Sequence, residues 1–186
     1  MRTTTAAATD RQALAAYLRQ GGIAAVPTDT VYGLIAVAGN DAAAQRIYAL
    51  KGRPDDKKLI LLAGDRATVA RNATIAGTAR TLAERYWPGP LTLVLPVPGG
   101  APTGFRVPDH DWLCGLLRVL AAPVVSTSAN LSDRPPATTA AEVRGYFPDA
   151  DFWLVDGGPA PGGMPSTVLD GTLDPPRVLR PGPILL

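Results

Sequence analysis

Short apolar runs alternate with amphipathic helical stretches along the chain, and that alternation constrains the fold more than any other feature. Runs at 23–27, 34–38, 59–63, 91–95 and 152–155 are four or five residues long and are bounded by Gly, Pro or small polar residues. That is the length and flanking of strands rather than helices. Further strands are expected at 105–107, at 124–125 leading into a polar loop, at 167–169 and at 177–179. Between them lie helical patterns. Residues 10–20 follow a Thr9 or Asp10 cap and stop at Gly21-Gly22. Residues 41–50 follow Asn40 or Asp41, carry Ala43, Ala44, Ile47, Tyr48 and Leu50 on one face, and stop at Gly52, with Pro54 barring continuation. Residues 65–72, 76–86, 109–120 (capped by Asp109) and 140–146 complete the set. Helices alternate with strands, but several strands arrive close together, so the expected class is α/β: a mixed sheet with flanking helices.

The chain of 186 residues suits one domain, 1–186, with no repeat and no linker long enough to divide it. The Thr/Ala-rich residues 1–9 read as a flexible tail and lack a signal peptide's basic start and apolar stretch. Hydrophobic residues make up 46% but aromatics only 6%, so the core is built from Ala, Val, Leu and Ile. A net charge of +2 does not demand a polyanionic partner. No run approaches the ~18 apolar residues of a membrane span. One cysteine, Cys114, cannot form a disulfide within the chain. A cytoplasmic protein with no membrane association is expected.

Much familiar chemistry is excluded. Neither G-x-x-x-x-G-K-[ST] nor a strand-linked G-x-G-x-x-G is present. One Cys and one His cannot make a structural zinc site, and no carboxylate cluster suggests a protein-held metal. His110 falls at a helix start and Cys114 inside that helix, so neither reads as a nucleophile system. Chemistry that works by holding charged substrates remains, phosphoryl or nucleotidyl transfer above all. Lys51-Gly52-Arg53 sets two cations on a stiff turn, followed by Lys57 and Lys58. Thr28-Asp29-Thr30 and Ser126-Thr127-Ser128-Ala129-Asn130 put hydroxyls and an amide after apolar strands, where polar small substrates bind. Taken singly, each segment also reads as an ordinary turn.

Taken together, they resemble the YrdC/Sua5 family of threonylcarbamoyl-adenylate synthases in its short bacterial form. The matching stretches are Val26-Pro-Thr-Asp-Thr-Val-Tyr-Gly-Leu34, Leu50-Lys-Gly-Arg-Pro-Asp-Asp-Lys-Lys-Leu-Ile-Leu-Leu62, Trp87-Pro-Gly-Pro-Leu-Thr92 and Arg106-Val-Pro-Asp-His110. Val125-Ser-Thr-Ser-Ala-Asn130, Asp156-Gly-Gly158, Pro165-Ser-Thr-Val168 and Leu179-Arg-Pro-Gly182 follow in the family's order. The resemblance implies a twisted sheet around a positively charged cavity. It also implies a reaction: L-threonine, bicarbonate and ATP, with Mg2+ carried on the nucleotide, give threonylcarbamoyl-AMP and pyrophosphate. The adenylate then feeds a separate tRNA threonylcarbamoyl-transferase complex acting on adenosine 37 of tRNAs reading ANN codons.

By position, Lys51, Arg53, Ser128 and Asn130 would be catalytic, and with Lys57, Thr138 and Arg180 would hold ATP. Thr28, Thr30, Tyr32, Arg106 and Ser166 would hold threonine. On that reading Lys51→Ala and Arg53→Ala each cost activity without disturbing folding. Two departures stand out: Pro102 occupies a position where a hydroxyl is usual, and Asp133 one where glycine is usual. An RNA-binding module on the same scaffold, or a paralogue using another amine acceptor, are the alternatives.

Overall fold

The structure is a computed structural model that describes residues 1–52 and 58–185. Among the described residues the helices are α1 (Arg11–Arg19), α2 (Asp41–Lys51), α3 (Arg66–Asn72), α4 (Gly77–Tyr86), α5 (Asp111–Leu120) and α6 (Ala140–Tyr146). The strands are β1 (Arg2–Thr5), β2 (Ala24–Val26), β3 (Gly33–Val37), β4 (Ile60–Leu62), β5 (Leu91–Leu95), β6 (Thr103–Arg106), β7 (Val124–Ser128), β8 (Trp153–Asp156), β9 (Thr167–Asp170) and β10 (Arg177–Arg180). They form one sheet in the order β1-β8-β2-β3-β7-β4-β6-β5-β9-β10. Pairings are parallel at β1–β8, β2–β8, β4–β6 and β5–β9 and antiparallel elsewhere, so the sheet is mixed.

Local chemistry sets the helix limits. Asp10 caps α1 by accepting from the Gln12 amide, and Asn40 caps α2 by accepting from Ala43. Gly52 ends α2 with φ 56°, a left-handed conformation that glycine adopts without a Cβ penalty. Thr139 and Glu142 form a reciprocal capping box on α6.

Two expectations are corrected. Residues 1–9 do not simply trail away: Arg2–Thr5 is an edge strand in parallel register with Trp153–Asp156. The Arg2 guanidinium lies 3.7 Å from the centre of the Trp153 ring, and Thr4 Oγ1 accepts from the indole N–H at 2.7 Å. And α5 is capped by His110, not Asp109; its Nδ1 accepts from the Leu113 amide at 3.3 Å.

Side-chain alternation assigns the sheet faces. Leu34 and Ala36 pack under α2 and α6 with Ile47 and Val143. Leu91, Leu93 and Phe105 pack under α3 and α4 with Val69, Ala79 and Ala83. Opposed residues Ala36/Val125, Leu61/Val125, Leu61/Phe105 and Leu93/Phe105 link these two cores along one face. The other face carries Ile35, Val124 and Leu62 under α1 and α5. There α5 buries Leu113, Leu116, Leu117 and Leu120. At roughly 1.5–3 kcal/mol per buried leucine, this outweighs the ~1 kcal/mol that Gly115 costs a helix interior. A Cβ at Gly115 would meet the end of the exposed Arg11 side chain of α1 at 3.1 Å. These two helices stop short of the sheet's far half. Gly33, Ser128, Ile60, Gly104 and Arg106 on that half border an open cavity instead of a helix.

The His110 cap generates a pH prediction. Burial pulls this imidazole below the ordinary histidine value, against the raising influence of Asp29, Asp111 and Asp109. A depressed folded-state value means the unfolded chain binds the proton more tightly. The cap's contribution is therefore complete above the unfolded value of 6.5 and is lost as pH falls through the folded one. Urea unfolding from pH 7.5 to 5 should show that loss, and His110→Asn, a cap that does not titrate, should flatten the slope.

Candidate active site

The uncovered half of the sheet face borders a cavity of about 370 Å³. Of the residues expected at the site, Thr28, Thr30, Tyr32, Arg106, Ser128, Ser166 and Arg180 all line it. They come from the β2–β3 loop and from β6, β7, the start of β9 and β10, so the sheet order gathers positions that are remote in sequence. Arg53 and Lys57 lie outside the described residues.

At one end, Arg106 is 4% exposed and its fork is held on three sides. Nε donates to the Gly89 carbonyl at 3.0 Å, Nη1 to Thr30 Oγ1 at 2.9 Å and Nη2 to Asp29 Oδ1 at 2.5 Å. Burial lowers the guanidinium pKa, and the adjacent Asp29 carboxylate opposes the shift. Thr28 Oγ1 organises the turn beneath. It donates to the Val31 carbonyl at 2.7 Å and accepts from the Thr30 and Val31 amides. Tyr32 braces the neighbouring loop: its hydroxyl donates to the Gly158 carbonyl at 2.7 Å and accepts from the Gly157 amide at 3.1 Å. Burial raises this phenol's pKa, so it stays protonated.

Lys51 of the first motif meets Ser128-Ala129-Asn130 behind the cavity wall. Lys51, the last residue of α2, is 3% exposed. Its Nζ donates to the carbonyls of Ser128 and Asn130 at 2.5 and 2.7 Å and to Asn130 Oδ1 at 3.2 Å. The Asn130 amide donates in turn to the carbonyls of Leu131 and Arg134. Lys51 returns a carbonyl to the Ser132 amide at 2.9 Å. Neither Lys51 nor Asn130 borders the cavity. The lysine fixes the loop that presents Ser128, and its burial overturns the expectation that Lys51→Ala leaves folding undisturbed. Asp133, in the same loop, has φ 62°, which explains why glycine is usual there; aspartate tolerates this region better than most residues.

At the other end, Ser166 Oγ bonds Thr92 Oγ1 at 2.8 Å, and Arg180 donates from Nη2 and Nε to the Ser166 carbonyl at 2.8 and 3.2 Å. Gly182 makes this seating possible, since a Cβ there would come within 2.4 Å of the Thr167 amide. Thr138 is not brought to the cavity; its hydroxyl donates to Glu142 Oε2 at 3.0 Å, serving the start of α6. Pro102 does line the cavity, while the Thr103 hydroxyl turns to the Ala101 carbonyl. Lys58 joins Arg106 and Arg180 as a third cation in the lining, which among the described residues holds no acidic side chain.

Sequence reasoning placed Asp29 in a substrate-binding segment without finding its partner, and gave no role to Thr92. Both sit inside quoted stretches, but their partners are 77 and 74 residues away, and no local pattern points to them. The buried Cys114 thiol, raised in pKa by desolvation, donates to the Pro108 carbonyl at 3.1 Å and is not a thiolate. The remaining wall is apolar, with Ile60, Leu62, Val94, Val168 and Leu179. This is a concave site with hydroxyls and cations at its polar ends and an apolar floor, suited to a small substrate carrying several anionic groups.

A family profile described as "Sua5_yciO_yrdC: Telomere recombination" matches residues 16–182. A threonylcarbamoyl-AMP synthase of Bacillus subtilis is 41% identical over 184 residues, covering 91% of this chain and 52% of its own length. Another, of Idiomarina loihiensis, is 38% identical over 172 residues, covering 86% of this chain and 87% of its own. The crystal structure of P. abyssi Sua5 complexed with L-threonine matches with a TM-score of 0.86 at 38% identity, over 92% of this chain and 54% of that one. The chain thus spans about half the length of the B. subtilis and P. abyssi relatives.

The Lys51 clamp can be tested on stability alone. Lys51→Met strands buried acceptors, at a cost of roughly 1–3 kcal/mol. In denaturant titrations its loss and that of Asn130→Ala should be less than additive, because both break the Lys51–Asn130 side-chain bond and loosen the same loop. Full additivity would show that the two residues act separately.

Proposed function

The chain belongs to the Sua5/YciO/YrdC family, and from that premise we propose that it is an L-threonylcarbamoyladenylate synthase. The observation that carries the reading is one cavity lined by Thr30, Arg106, Ser128, Lys58 and Arg180; in this reading Thr30 and Arg106 take the amino acid and Ser128, Lys58 and Arg180 the phosphates. In this reading the threonine amine combines with bicarbonate or carbon dioxide to give a carbamate. A carbamate oxygen attacks the α-phosphorus of ATP, and pyrophosphate leaves. Both reactants are anionic, so fixed cations reduce their repulsion and hold the charge that develops. Orientation of the two in one site supplies much of the rest.

Arg106 takes the threonine carboxylate beside Thr30, with Thr28 and Tyr32 setting the loop and Ser166 closing the far wall. Ser128, Lys58 and Arg180 serve the nucleotide phosphates, a role the family motif extends to Arg53 and Lys57. Lys51 and Asn130 act one step behind, by holding Ser128 in place. ATP enters as its Mg2+ complex. Among the described residues no group of three or more His, Cys, Asp or Glu is placed to hold a metal, and this reading puts that ion on phosphate oxygens and water. The product would pass to a tRNA threonylcarbamoyl-transferase complex in the cytoplasm. Among the described residues no helix is long and apolar enough to cross a membrane.

The test is pyrophosphate release from ATP with each component left out in turn. Release should require L-threonine and bicarbonate together, and Arg53→Ala should reduce it by about 10²-fold, the scale of losing one transition-state contact. ATP binding without threonine-dependent release would overturn the proposal. Release with a different amino acid would redirect it to another amine acceptor. Tight tRNA binding that weakens steeply with salt, with no release, would favour an RNA-binding role.

A further inference from the structure

The hydrogen-bond inventory at the Arg106 end assigns a role to a residue that the reaction itself does not require. A guanidinium has five N–H donors in a fixed fork. Three are taken, by Gly89, Thr30 and Asp29, which leaves one N–H on each Nη. Arg106 lines the cavity, and these two donors are what it can offer there.

The neighbouring hydroxyl adds an acceptor. Thr28 Oγ1 donates its proton to the Val31 carbonyl at 2.7 Å and accepts from the Thr30 and Val31 amides, which fills its bonding capacity. Thr30 Oγ1, 3.0 Å from Thr28 Oγ1, accepts from Arg106 Nη1 and keeps a second lone pair. The wall therefore shows two donors beside one acceptor. A carboxylate next to an amine N–H satisfies that pattern. A simple amine leaves the Arg106 donors unmatched.

Asp29 stands at the root of this arrangement. Its side chain is only 11% exposed, it does not border the cavity, and it ion-pairs Arg106 Nη2. Gly162 packs on its backbone, where a Cβ would come within 2.7 Å of the Asp29 carbonyl, so the segment has no room to shift toward that loop. We propose that Asp29 is the positioning residue for the amine acceptor. By fixing the rotation of the Arg106 fork it keeps two N–H groups aimed into the cavity and keeps Nη1 on Thr30, so that the pocket selects an α-amino acid. The pairing also offsets the Arg106 charge, so recognition rests on oriented donors more than on net attraction. The choice of amine acceptor rests on the reading given above; the polarity of the wall does not.

The experiment measures L-threonine binding to the full chain by calorimetry, separately from turnover, for wild type, Asp29→Asn and Asp29→Ala. A hydrogen bond to a charged group is worth enough to shift affinity by about 10-fold or more. Asp29→Ala should weaken L-threonine by at least ~10-fold while ATP affinity stays within about 2-fold. Asp29→Asn keeps an acceptor oxygen for Nη2 and should recover part of the loss. L-threoninol, which lacks the carboxylate, should bind all three proteins alike. Unchanged threonine affinity in both variants, or an equal loss for ATP and threonine, would overturn the assignment. Should Asp29→Ala fail to fold, Asp29→Asn decides alone through its threonine-to-ATP ratio. Wild type that binds threonine with this dependence on Asp29 but releases no pyrophosphate would refute the enzymatic reading and leave the positioning role standing.

Discussion

A single buried ammonium, Lys51 Nζ, ties the end of α2 to the end of β7, and the cavity wall at Ser128 depends on it. Three acceptors converge on it, two of them main-chain carbonyls at the point where β7 gives way to a loop. The Ser128 carbonyl also accepts from the Asn130 amide at 3.1 Å, so the turn after β7 and the ammonium share it. An ammonium satisfies several acceptors at once, and removing it leaves acceptors unpaired at a cost far above the net worth of an average hydrogen bond. The lysine is held at the right depth by ordinary helix chemistry. Asn40 sets where α2 starts, the Ala43/Ile47 stripe sets which face is buried, and Gly52 ends the helix in a left-handed turn.

Arg106 does the same work at the opposite end with a different geometry. Its fork reaches the β2–β3 loop through Asp29 and Thr30 and the segment after α4 through Gly89. Between the two cations the sheet contributes glycines. A Cβ on Gly104 would come within 3.0 Å of Ile60, and one on Gly33 within 3.2 Å of Ser126. Neither has a positive φ, so glycine serves space rather than backbone freedom there. The cavity is thus sheet surface that α1 and α5 do not cover, kept open by missing side chains, with Arg106 in its wall and Lys51 behind it.

How much of this the sequence shows varies with the physics involved. Helices were legible because their signals are local: an Asp or Asn cap, an apolar stripe, a Gly stop. The central strands were legible as short apolar runs. β1 was not, because Arg-Thr-Thr-Thr has no apolar alternation and its partner β8 lies about 150 residues away. The sheet order was also hidden, since β8 between β1 and β2 is a long-range pairing that no window of sequence contains. At the site, motif resemblance located Thr30, Arg106, Ser128, Ser166 and Arg180. It could not reveal that Lys51 points at carbonyls, because every residue carries one. Nor could it reveal that Asp29 is the partner of Arg106, or that Thr138 turns to Glu142.

The account stands or falls on one cavity holding an amino acid and a nucleotide end to end. A crystal structure of the chain with L-threonine and a non-hydrolysable ATP analogue tests that directly. The account predicts the threonine carboxylate on the two open Arg106 donors, its nitrogen against Thr30 Oγ1, and the α-phosphate between that nitrogen and Ser128. A carboxylate seated away from Arg106, or a nucleotide bound outside the cavity, would contradict it.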